Sequence, residues 1–352
     1  MEEQKDVFGL LDMMVQPVFC VKENTVIRSN AAAQQLFFRV GDDIRPLLEQ
    51  GAEEYASFSG GCLYLSLSIA GQPVGACVRR MDGTDIFELD TENESLRVLA
   101  LAASQLRKPL SGALSQTACL LDSQADSETL QQLSQLNRSL YQILRVLGNM
   151  TDAEYISSQC RMETTDVPAL FREIFEKAQT LVSQSSVRLF YESLDETIYC
   201  LADPAQLERA VLNILSNAVK FTPEGGSVTA SLVRRGRTLR LTVQDSGSGI
   251  AQEVMGNLFQ RYLRQPGIED SRFGLGLGIR MVHAAAVHHG GTLLVTQGDQ
   301  GGTRIVMTMA IRQRDENRFG SPVFSVDYTG GFDHTLVELS ECLPANVFDG
   351  SF

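Results

Sequence analysis

The sequence predicts a multidomain α+β chain: a small N-terminal α+β module, a long helical hairpin, and a two-layer α/β sandwich towards the C-terminus. Three observations predict it. Short apolar runs broken by Asn-, Asp- and Gly-containing turns fill residues 17–90. Apolar residues at heptad spacing run through 94–150. From 166 to 311 helical and strand patterns mix, interrupted by three polar or glycine-rich clusters. With 352 residues and 43% hydrophobic content, the chain can build two or three domains, each with a core.

In the first module PVFCV (17–21) and TVIRS (25–29) flank a turn at 22–24, and Asn30 opens a helix. CLYLSLSIAG (62–71), QPVGACVRR (72–80) and TDIFELD (84–90) follow, with Gly71 and Asp82-Gly83 as hairpin signals. This order resembles a PAS sensor domain, which implies a module over 1–92 that binds a small ligand or serves dimerisation. Cys20 and Cys77 are candidates for lining such a pocket, with core packing the preferred reading.

Residues 94–122 and 127–158 read as two helices joined by DSQADS, with Asp126 as N-cap. In the first, Leu96, Leu99, Ala103, Leu106, Leu110, Ala113, Thr117 and Leu120 form an unbroken a/d seam. Leu130, Leu133, Leu136, Leu140, Ile143, Leu147 and Met150 nearly repeat it in the second. One hairpin buries only part of such a seam, so two copies are expected to pair as a dimeric four-helix bundle, over 93–158 of each chain.

The C-terminal sandwich, 159–312, starts with an amphipathic helix at 166–182 and strands at 187–194 and 197–202. Two hairpins follow, turning at Arg235-Gly236 and at 300–302. Its first polar cluster is LERAVLNILSNAVKFTP (207–223), on a helix predicted over 205–221. Asn213, Asn217 and Lys220 stand three and four residues apart and share a face. An Asn carboxamide oxygen suits magnesium and a Lys ammonium suits phosphate. The second cluster is DSGSGI (245–250): Asp245 ends a strand, able to accept the exocyclic amine of adenine, while Gly247 and Gly249 let a base approach the backbone. The third is FGLGLGI (273–279), where Gly274, Gly276 and Gly278 precede a helix whose first N–H groups suit phosphate. There is no G-x-x-x-x-G-K-[ST] loop and no dinucleotide fingerprint.

In this order the three clusters resemble the N box and two glycine boxes of the ATP-binding domain of sensor histidine kinases. The likeness covers roughly residues 95–312. It implies an ATP–magnesium site built from Asn213, Asn217, Lys220, Phe221, Asp245, Gly247, Gly249, Gly274, Gly276 and Gly278, with Asn217 as the magnesium ligand. LFQRYLR (258–264) resembles the family's F box, Arg264 reaching phosphate, and 265–273 resembles its lid. His289, in HHGG (288–291), is read as structural.

The hairpin matches the family's dimerisation element, and ASQLRKPL (103–110) aligns with its phospho-acceptor box, commonly S-H-E-L-R-T-P-L. Leu106, Arg107, Pro109 and Leu110 agree; an interior helix proline costs about 3 kcal/mol, so its presence here points to ancestry. Yet Ser104 stands where the family phosphorylates His, and Gln105 replaces the neighbouring carboxylate. The four His (283, 288, 289, 334) all lie outside the hairpin. A neutral imidazole offers a lone pair at neutral pH, whereas a Ser hydroxyl needs a placed base, worth roughly 10²–10⁴ in rate.

The net charge of −13 argues against nucleic acid or an anionic membrane as partner. No apolar run reaches transmembrane length and the acidic N-terminus is unlike a signal, so a cytoplasmic location is expected. Seven scattered Cys suggest neither zinc nor disulfides. The tail, 313–352, departs from the family pattern and carries one helix at 334–342 capped by Asp333; its role stays open, docking to a partner or to the protein's own surface being one option. Three functions stay open. The first is an ATP-binding signalling protein unable to autophosphorylate, acting on a response regulator or partner kinase. The second is an active kinase that phosphorylates a His in trans. The third, an ATPase or Ser kinase, is disfavoured because those relatives carry Glu where Asn213 stands.

Overall fold

The structure is a computed structural model describing residues 14, 16–36, 38–48, 51–81, 83–89, 94–121, 127–152, 160–250, 277–299, 301–312 and 331–349. The first module comprises β1 (Val18–Lys22), β2 (Thr25–Ser29), α1 (Ala31–Gln35), α2 (Ala52–Ser57), β3 (Cys62–Ile69), β4 (Gln72–Met81) and β5 (Thr84–Leu89). Asn30 caps α1: its Oδ1 accepts from Ala33 N at 2.9 Å and also from Val18 N at 3.1 Å, tying the helix to β1. Phe19 stacks on Phe38 and Phe87 at centroid distances of 4.2 and 4.9 Å, the centre of this module's core. Strand alternation sends Cys20 to the opposite face, with Val18 and Ile86. Cys77 likewise packs outside the module core, so neither thiol lines its interior.

The hairpin is α3 (Glu94–Leu121) and α4 (Ser127–Asp152). α3 runs on through Pro109. The predicted seam is used only in part. Ala103, Leu110 and Leu147 of the seam are buried inside the hairpin together with Leu114 and Leu144, each one residue past the expected Ala113 and Ile143. Leu106, Leu120, Leu136 and Ile143 are 56, 51, 49 and 49% exposed. The physical reason is that a single antiparallel neighbour covers only one side of an a/d stripe.

The C-terminal part comprises β6 (Glu163–Asp166), α5 (Val167–Val182), β7 (Arg188–Glu192), β8 (Tyr199–Ala202), α6 (Pro204–Phe221), β9 (Ser227–Arg235), β10 (Thr238–Asp245), α7 (Leu277–His288), β11 (Leu293–Gln297) and β12 (Thr303–Ala310). α8 (His334–Leu339) and a 3₁₀ turn at Ala345–Phe348 close the chain. α5, α6 and α7 share one core with the sheet, which is the expected two-layer arrangement. The strand order is β2-β1-β5-β4-β3-β11-β12-β10-β9-β7, with β6 and β8 pairing separately. Every neighbour in this sheet is antiparallel except β7 and β9.

The ten strands form one continuous sheet because β3 of the first module pairs with the β11 edge, Tyr64 opposite Leu293 and Cys62 opposite Val295. Each edge covers the other's unpaired backbone groups. Cys62 and Tyr64 thereby enter the core beneath α7, where the Tyr64 ring lies 5.2 Å from that of His283. No helix among the described residues is long and apolar enough to cross a membrane.

Candidate nucleotide site

The site is built on α6. Asp203 caps it, Oδ1 accepting from Gln206 N at 3.1 Å, and Pro204 occupies the first turn, where its missing N–H costs nothing. His289, just after α7, holds that cap in place. Its Nδ1–H donates to Ala285 O at 2.6 Å, and its Nε2 accepts from Asp203 N at 2.9 Å. Burial pushes its pKa below the usual histidine range, so the ring stays neutral and can accept that hydrogen bond. The structural role expected for His289 fits this geometry.

Leu207, Val211, Ile214, Leu215 and Val219 bury the inner face of α6. Asn213 is wholly buried and Asn217 and Lys220 are half-buried. Gly278, in the first turn of α7, lies so close to Asn213 that a Cβ there would collide with Oδ1; the N-box helix and the start of the glycine helix are thus in contact. Asn213 Nδ2 donates to Arg209 O at 3.0 Å, while its buried Oδ1 has no hydrogen-bond partner among the described residues. Asn217 makes no side-chain hydrogen bond among the described residues, leaving a hard oxygen ligand available.

Asp245 ends β10, only 5% exposed. Its Oδ1 accepts from Gly247 N at 2.8 Å and from Thr303 N at 3.1 Å, which fixes the carboxylate and leaves Oδ2 as a further acceptor. Gly302 presses on the Asp245 carbonyl, where any Cβ would clash, and Gly247 abuts Phe221 O at the end of α6. Gly249 lies beside Gly302. The first two clusters and the last glycine of the third therefore surround the C-terminal half of α6. Arg264, Gly274 and Gly276 lie outside the described residues.

Sequence reasoning missed the partners of these groups. Lys220 Nζ lies 2.6 Å from Glu341 Oε2, in the tail after α8. Glu338, on α8, is wholly buried; its Oε2 is 3.2 Å from Arg145 Nε on α4 and 3.5 Å from Asn213 Nδ2, and its Oε1 is 3.6 Å from Arg209 Nη2 on α6. No local signal marked this pairing: Arg209 stands on the polar face of α6, four residues before Asn213 and opposite Leu207, Val211 and Ile214, and it faces the carboxylate that α8 brings from the distant tail.

Among the described residues no group of three His, Cys, Asp or Glu side chains could hold a metal ion. A magnesium ion here would rely on Asn217 together with phosphate and water oxygens, the usual habit of that ion at nucleotide sites.

Residues 202–313 match the family described as histidine kinase-, DNA gyrase B- and HSP90-like ATPase. The chain is 29% identical over 226 residues to the adaptive-response sensory kinase SasA of Crocosphaera subtropica, covering 58% of this chain and 59% of that one. It is 25% identical over 214 residues to the sensor histidine kinase CusS of Escherichia coli K12, covering 59% of this chain and 44% of the relative. The crystal structure of full-length ShkA in complex with AMPPNP matches at 22% identity and a TM-score of 0.49, covering 62% of this chain and 46% of that chain. The region matched in this chain holds the α6 cluster, Asp245 and Gly278. Residues 202–313 thus form an ATPase domain of the histidine kinase-, DNA gyrase B- and HSP90-like family, within a longer stretch of the chain that is similar to sensor histidine kinases.

Proposed function

We propose that this protein binds ATP–magnesium and signals through its nucleotide state, without phosphorylating its own hairpin. The observation that carries the reading is the contrast between two sites. Asn213, Asn217, Lys220, Phe221, Asp245, Gly247, Gly249 and Gly278 gather around one helix, whereas α3 carries Ser104 and Gln105 in the acceptor box. Both hairpin helices lack His altogether. Asp245 takes the adenine amine, Lys220 a phosphate, and Asn217 the magnesium; Arg264, Gly274 and Gly276 complete the phosphate side by family resemblance. A cytoplasmic location and a response regulator or partner kinase as the recipient belong to the same reading. A His-bearing partner phosphorylated in trans is the second reading, since only the acceptor, and not the nucleotide site, departs from the family.

Incubating the chain with γ-labelled ATP tests this. The wild type should take up no acid-labile label. Ser104→His with Gln105→Glu restores the nucleophile and the carboxylate beside it, and should gain such label, lost again on adding Asn217→Ala. Label on Ser104 in the wild type would make the protein a Ser kinase and overturn the proposal.

The homodimer belongs to this proposal too, supported by the apolar stripe that the hairpin leaves exposed. Leu106→Lys with Ile143→Lys places charges where, in one copy, both positions are about half exposed. These charges cost little until a second copy covers them. Light scattering should report a dimer for the wild type and a folded monomer for the variant. A dimeric variant with wild-type affinity would move the interface elsewhere.

A further inference from the structure

The tail segment 331–349 is a strap across two domains. On the hairpin side, α4 holds it through Asn137 Nδ2 to Phe348 O at 2.9 Å, Arg138 to the carbonyls of Ser340 and Glu341 at 3.2 and 3.1 Å, and Gln142 to Ser340 O at 3.2 Å. Val337 and Phe332 join the hairpin's apolar cluster. On the α6 side, His334 Nδ1 meets Glu208 Oε2 at 2.8 Å, Glu338 faces Arg209 and Asn213, and Glu341 meets Lys220. Arg145 of α4 joins both acids, reaching Glu338 and, at 3.1 Å through Nη1, Glu341. Burial acts to raise the Glu341 pKa, but Arg145 and Lys220 outweigh it and hold the carboxyl below the usual range, so it is ionised at neutral pH.

Lys220 is the cation assigned above to a nucleotide phosphate, and in this structure its ammonium is taken by a carboxylate of the same chain. A phosphate brought to Lys220 meets Glu341 as a like charge at close range. We propose that the C-terminal strap is an intrasteric antagonist of nucleotide: Glu341 holds Lys220 in the nucleotide-free chain and gives it up when the phosphates of ATP bind. The proposal rests on the nucleotide reading of the site. Because Ser340 and Glu341 are also bound to α4, release of Lys220 loosens the strap between the ATP-binding domain and the hairpin. The coupling is reciprocal: whatever draws the strap away raises nucleotide affinity by the same factor as nucleotide favours release.

The experiment is a comparison of full-length wild type and Glu341→Gln by calorimetry, with MgATP and, separately, adenosine. The variant keeps the side chain's shape and removes its charge. It should bind MgATP roughly 3- to 10-fold more tightly, the range expected for a half-buried ion pair, and bind adenosine as the wild type does. On the wild-type chain, saturating MgATP should speed amide exchange at Cys342 and Leu343, whose N–H groups bond Leu339 O in this structure. Equal MgATP affinity in the two chains, or unchanged exchange in a chain that does bind MgATP, would overturn the strap's role and leave the nucleotide site standing. Absence of MgATP and adenosine binding in both chains would overturn the nucleotide reading, and the strap's role with it.

Discussion

Glu338→Ala should lower the free energy of unfolding by about 3–5 kcal/mol, the range for removing one partner of a buried ion pair. Its carboxylate stands between Arg145 and Arg209, which are 5 and 6% exposed, and accepts from the buried Asn213 carboxamide. Arg145 keeps Glu341, 3.1 Å from its Nη1, but Arg209 loses the carboxylate it faces. The chain has one relief: α8 can lift away and let water reach both guanidiniums. The loss is then limited to the strap's own docking energy. Amide exchange separates the two outcomes, since strap release removes protection only within 331–349 and leaves β9 to β12 protected. Glu338→Gln keeps the volume and an acceptor for Asn213 and should cost less than the Ala variant. A urea midpoint equal to wild type in Glu338→Ala would show that the two arginines do not depend on this carboxylate.

What the sequence made legible was the part that is encoded locally. The helix expected at 205–221 is Pro204–Phe221, and the one at 166–182 is Val167–Val182, because both carry a 3.6-residue apolar period with polar caps. Asn30 and Asp333, read as helix starts in the sequence, accept from the backbone N–H three residues on, as short polar side chains there do; the cap expected at Asp126 lies outside the described residues. What escaped depends on distant pairing. The β3–β11 junction is made by backbone groups of two edge strands, which leave no side-chain mark in either segment. The heptad seam told that residues 94–150 are helical and apolar on one stripe, but not which half of the stripe the hairpin would use for itself. The roles of Glu338 and Glu341 escaped because their partners lie on α4 and α6, far away in the chain. The residues proposed for nucleotide were picked out because each type has a narrow chemical use at its spacing, and Asn213 and Gly278 do meet in space. The pairing of Lys220 and Asn213 with the chain's own tail was not legible.

Asp245→Asn should weaken ATP binding by about 5- to 150-fold while leaving the fold intact, which makes it a sharper probe than the Ala variant. In the wild type, Oδ1 is fixed by two backbone amides, from Gly247 and Thr303, and Oδ2 remains for a ligand's donor. Alanine removes the adenine contact but also strips the acceptor from both amides, a cost of roughly 1–3 kcal/mol each where buried, so lost binding could be lost structure. Asparagine keeps an oxygen for the two amides and turns the other atom into an NH₂. That NH₂ meets the adenine amine donor to donor, an arrangement with no hydrogen bond and a desolvated group on each side. A loss of roughly 1–3 kcal/mol follows, which is the stated range in affinity. ITP, whose base carries a carbonyl where adenine has its amine, should bind the Asn variant with less penalty, so the preference for ATP over ITP narrows. Calorimetry with both nucleotides, alongside thermal melting without ligand, reads these outcomes. A variant that melts like the wild type and still binds ATP equally well would place the base away from Asp245.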